Sequence, residues 1–137
     1  MLKTLAAATL ALAALAGPAA AQDPGGVVAA QLNAATNDLG LTAAGARVTG
    51  RLVADRSELV RIEVPGGDIH FIGVCDGGCS DVDLIVRDSS GREVGRDLEP
   101  DDVPVVSVAG AASGRYTVEV SMVTCTGECE WGVGVFR

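Results

Sequence analysis

Two short segments repeat one cysteine spacing: Cys75-Asp76-Gly77-Gly78-Cys79 and Cys125-Thr126-Gly127-Glu128-Cys129. The first runs straight into Ser80-Asp81-Val82-Asp83. Four thiols can bond to one another, hold a soft cation or exchange electrons, and carboxylates can offer oxygens to a hard cation. Structural zinc sites usually draw on tighter cysteine knuckles, and dithiol catalysts place Cys-x-x-Cys at a helix start, where the dipole lowers the thiol pKa. Neither pattern is present. The glycines let each loop reverse and bring its cysteine Cα atoms within about 7 Å, so Cys75–Cys79 and Cys125–Cys129 disulfides are expected. Three connectivities are open to four cysteines. Loop entropy assigns about 2 kcal/mol to each local bridge and about 4 kcal/mol to a Cys75–Cys125 bridge, but local closure forms fastest and needs no prior tertiary agreement.

Asp81 and Asp83 lie two apart in a strand pattern, so their side chains share a face opposite Val82, Leu84 and Val86. Asp76 sits in the preceding turn, and Asp97, Glu99, Asp101 and Asp102 form a second acidic loop. If that loop folds back beside the strand, Asp76, Asp81, Asp83, Asp101 and Asp102 are the candidate ligands for Ca²⁺, which takes six to eight oxygens of this kind. The competing reading is structural: Asp83 caps backbone amides or pairs with Arg87 or Arg96, and the other carboxylates are hydrated. No calcium loop of fixed spacing is present, and calcium is the one cofactor these residues suggest.

Catalysis finds little support. The lone histidine, His70, lies in Asp68-Ile69-His70-Phe71-Ile72-Gly73-Val74. Alternation there puts Asp68, His70 and Ile72 on one face, with Ile69, Phe71 and Val74 nearer the other, which makes His70 a strand-surface residue. There is no nucleophile elbow, metalloprotease helix or phosphate-binding glycine loop. Aromatics are scarce, and Trp131, Tyr116, Phe71 and Phe136 are expected in the core rather than on a sugar-binding platform. The chain reads as non-catalytic.

The elements that must position these residues follow a leader. Residues 1–21 carry Lys3, an apolar run from Leu5 to Ala16, the breakers Gly17 and Pro18, and three alanines. This layout predicts a secretory signal peptide cut near Ala21, since the run is shorter than the roughly 20 residues that span a membrane. The exported chain is expected in the periplasm or outside the cell, as a monomer. Losing Lys3 moves its formal charge from -8 to -9. That excess of acid argues against nucleic acid and anionic membranes as partners, because both are bound through Lys and Arg.

Residues 22–45 form a lead segment in which Val27 to Leu39 has helical spacing. Residues 46–137 make one domain of short Val- and Ile-rich runs separated by turns such as Pro65-Gly66-Gly67 and Ser89-Ser90-Gly91. Val60, Ile62 and Val64 oppose Leu59, Arg61 and Glu63, and Tyr116, Val118, Val120 and Met122 oppose Thr117, Glu119 and Ser121. Seven or eight such strands without helices between them predict an all-β, antiparallel β-sandwich, jelly-roll-like.

Asp81-Val82-Asp83-Leu84, the turn at Gly91, and Gly114-Arg115-Tyr116-Thr117-Val118-Glu119-Val120 together resemble the bacterial pre-peptidase C-terminal domain, a small secreted β-sandwich. The resemblance is best from about Asp68 to Arg137. It implies a non-catalytic accessory module of the cell envelope or extracellular space, of a kind attached to exported enzymes, some members of which bind calcium or an extracellular polymer. The paired cysteines depart from that pattern, and no enzyme lies beside the module in this chain.

Overall fold

The computed structural model describes residues 26–137. The predicted signal peptide and its cleavage site lie outside the described residues. One helix, α1 (Gly26–Asp38), precedes eight strands: β1 (Val48–Val53), β2 (Arg56–Val64), β3 (Gly67–Cys75), β4 (Cys79–Arg87), β5 (Glu93–Asp97), β6 (Val105–Ala111), β7 (Gly114–Cys125) and β8 (Glu128–Phe136). They form two four-stranded antiparallel sheets, ordered β1-β8-β3-β6 and β2-β7-β4-β5. Every connection but the β4–β5 turn passes from one sheet to the other, the winding of a jelly roll.

The expected alternation holds in the second sheet. Val60, Ile62 and Val64 of β2, Val82, Leu84 and Val86 of β4, and Tyr116, Val118, Val120 and Met122 of β7 all enter the core between the sheets. From the first sheet, Ile69, Phe71, Trp131, Val133 and Val135 meet them. Gly50 pairs with Trp131 across β1 and β8, and a Cβ at Gly50 would lie 2.4 Å from the indole. The absent side chain is what lets the indole approach the neighbouring strand this closely.

The first sheet corrects the reading of β3. Ile72 and Val74 share a face, and that face is buried too, forming a second cluster with Val28, Leu32 and Phe136. Helix α1 packs there. Its buried stripe is Val28, Leu32 and Thr36, spaced one turn apart, and the Thr36 hydroxyl bonds back to the Leu32 carbonyl at 2.9 Å. The seat is Gly132, where a Cβ would press within 3.3 Å of Leu32 and 3.4 Å of Val28. Residues 26–45 therefore pack onto the sandwich. Thr42 and Arg137 exchange backbone hydrogen bonds, and Ala43 bridges to Phe136.

A second correction concerns Asp97, which ends strand β5 (Glu93–Asp97) rather than opening the acidic loop. β5 is a short edge strand with Gly95 at its centre, where a Cβ would stand 2.5 Å from Val106. Charge and glycine hide it from any periodic pattern.

Candidate functional site

The cysteines pair locally, as expected. The S–S distances are 2.02 Å for Cys75–Cys79 and 2.03 Å for Cys125–Cys129. The fold adds a property that the spacing does not reveal. Cys75 ends β3 and Cys79 begins β4, while Cys125 ends β7 and Cys129 begins β8. Each bond therefore ties one sheet to the other where the chain crosses between them. Because β3 neighbours β8 in one sheet and β4 neighbours β7 in the other, the two crossings lie side by side.

Asp76 belongs to these crossings. Its Oδ1 accepts the Gly78 N–H at 3.1 Å and its Oδ2 accepts the Glu130 N–H at 2.9 Å. Both carboxylate oxygens are thus engaged by amides, and Asp76 is not brought to Asp81 and Asp83 as a fellow ligand.

The other half of the acidic arrangement does form. The chain between β5 and β6 folds back along the start of β4, where the Val82 N–H donates to the Asp101 carbonyl at 3.1 Å. Burial pushes the Asp81 carboxyl up, with the Asp101 charge adding to the effect. Burial also raises Asp83, and the charges of Asp81, Asp97 and Asp101 add to it. One oxygen of each, Oδ1, is buried without a hydrogen-bond partner.

The arginines proposed as partners are engaged elsewhere: Arg87 pairs with Glu119 at 2.9 Å, and Arg96 pairs with Glu93. Asp97 joins the carboxylates in place of Asp76, although its own oxygens accept the Glu99 and Val105 amides. Asp101 Oδ1 accepts the Val103 amide, and Asp102 is exposed. Among the described residues, no three Asp, Glu, His or Cys side chains stand close enough together to hold a metal ion as placed.

His70 faces the outside of β3, half-buried, with Nδ1 2.7 Å from the Ser107 hydroxyl of its register partner on β6. Asp68 lies on the same face of the strand, but its carboxylate accepts the Gly110 N–H at 2.8 Å. No Asp–His–Ser relay is formed.

Sequence reasoning missed the edge between β5 and β6. A groove of about 430 Å³ opens there, walled by Asp88, Ser90 and Arg92 on one side and by Val108, Ala109 and Ala112 on the other. Asp88 shapes one wall by accepting the Ser90 hydroxyl and the Ser90 and Arg92 amides, which hold its carboxyl below the usual range. Tyr116 closes the base and donates to the Ala112 carbonyl at 2.8 Å. The only trace in the sequence is the run of small residues Ala109-Gly110-Ala111-Ala112.

Among the described residues, no helix is long and apolar enough to cross a membrane. No family model matches the chain, and no curated protein matches it.

Proposed function

We propose that this protein is an exported, non-catalytic binding module of the cell envelope or extracellular space, taking a protein or polymer partner along the seam between β5 and β6. The groove there carries the reading: a concave surface that sets small apolar side chains against a few polar groups on a β-sandwich is a usual form of recognition site. The resemblance to the pre-peptidase C-terminal domain supports an accessory role, and two disulfides are compatible with an oxidising compartment. His70 and Ser107 lack the orienting carboxylate that an acyl-transfer site would want.

Affinity capture from envelope extract with the wild-type chain and with Ala109→Arg tests the site. A partner held by the first and lost by the second supports the reading. Identical captures from both, or none from either, would rule the groove out.

A second reading rests on a separate observation, the two buried and unpartnered Oδ1 atoms of Asp81 and Asp83 beside Asp97 and Asp101. A calcium ion drawn in by a small movement of the Asp97–Val103 loop would relieve this repulsion and order the loop. Calorimetry on chelator-treated protein should then show heat on adding Ca²⁺ and a higher melting temperature, both lost in Asp81→Asn/Asp83→Asn. Absence of heat and of any melting shift sinks it.

A further inference from the structure

We propose that the four cysteines form one thiol-exchange unit, in which Cys125 takes the attack of an incoming thiolate and the released Cys129 passes the exchange to the Cys75–Cys79 bond. Three of the sulfur-bearing residues are closed to solvent: Cys75, Cys79 and Cys129 are 1%, 6% and 0% exposed. Cys125 is only half-buried, at the rim of the core. An external nucleophile therefore meets Cys125 first.

The second disulfide is within reach of the first. Cys79 and Cys125 are direct register partners across β4 and β7, a relation that sets Cα atoms about 4.5–5.5 Å apart, inside the range a disulfide spans. A Cβ on Gly78, next to Cys79, would lie 3.3 Å from Cys129 Sγ. Opening one bond need not scatter the sulfurs, because hydrogen bonds that involve no sulfur join the two crossings. The Thr126 N–H donates to the Gly78 carbonyl at 2.9 Å, the Asp76 N–H to the Glu130 carbonyl at 3.0 Å, and the Glu130 N–H to Asp76 Oδ2 at 2.9 Å.

The steps balance as follows. A thiolate from a small thiol or a cysteine of a partner protein bonds to Cys125 Sγ; the Cys125–Cys129 bond breaks, and its electron pair leaves on Cys129. The Cys129 thiolate bonds to Cys75 Sγ, two residues along β8 from the register partner of Cys75, Trp131, and the pair from the broken Cys75–Cys79 bond leaves on Cys79. The Cys79 thiolate then attacks its register partner Cys125 in the mixed disulfide and returns the external thiolate. The protein ends as a disulfide isomer, Cys75–Cys129 and Cys79–Cys125, with no net oxidation or reduction.

The test uses Cys125→Ser, which leaves one thiol per chain, trapped with N-ethylmaleimide and located by peptide mapping. Label on Cys75 or Cys79 as well as Cys129 is expected, and label confined to Cys129 overturns the relay. A brief glutathione pulse on the wild-type chain gives an independent reading should that variant fail to fold. Its first adduct is expected on Cys125 at least about tenfold faster than on any other cysteine. A first adduct elsewhere, or free thiol that never leaves Cys129, refutes the proposal.

Discussion

The two sheets are built from similar amounts of Val and Ile but stand in different surroundings. The β2-β7-β4-β5 sheet is buried on its inner face only, and its outer face carries Arg61, Asp83 and Glu119. The β1-β8-β3-β6 sheet is buried on both faces where β3 and β8 lie under α1. Burial on one face writes a period of two into the sequence, and burial on both erases it. The contrast extends to chemistry. Unpaired carboxylates collect on the wet sheet and its adjoining loop, while the covered sheet keeps a glycine at position 132 to admit the helix.

Substitutions can break or sharpen this contrast. Trp131→Ala opens the core that both sheets share and should lower stability by about 3–5 kcal/mol in denaturant unfolding. Leu32→Ala tests the cover: it should remove about 3 kcal/mol. A change near zero would mean that α1 contributes nothing and that the two sheets are equivalent. Replacing Cys125 and Cys129 together by Ser removes one tie between the sheets, for an expected loss of about 2 kcal/mol.

Asp83→Asn acts on the wet face in the opposite direction. Asp83 titrates higher in the folded chain than in the unfolded one. Its contribution to stability is therefore complete below the ordinary carboxylate value and is lost as pH rises through the raised one. The variant should melt above wild type at pH 7, with the gap closing by about pH 3. A variant that melts lower at pH 7 would mean that Asp83 has a favourable partner. Smallest of all, Leu59→Ala, at a side chain 64% exposed on edge strand β2, should stay within about 0.5 kcal/mol.

Legibility followed the same division. The inward faces of β2, β4 and β7 are plain in the alternation of Val60-Arg61-Ile62, Val82-Asp83-Leu84 and Val118-Glu119-Val120. Plain alternation puts Val74 on the face of His70 and Ile72, as the structure has it, but burial of Phe71–Cys75 on both faces removes the polar residues that would mark that face in the sequence. Strand β5 was missed because its apolar content is one valine, and its pairing depends on β4 being in place. Asp76 was grouped with Asp81 and Asp83 by proximity in the chain, although the chain passes between sheets in the intervening turn.

By itself the sequence determines the antiparallel sandwich, the local closure of both Cys-x3-Cys loops and the shared direction of Asp81 and Asp83. Each of these is set by residues close together in the chain, through side-chain period, loop length and glycine content. Only the tertiary structure decides that both disulfides join the same two sheets side by side, that α1 covers β3 and β8, and that Asp97 and Asp101 rather than Asp76 face the Asp81–Asp83 pair. Those neighbours are brought together by the order in which the strands pair, and that order is a property of the whole packed core.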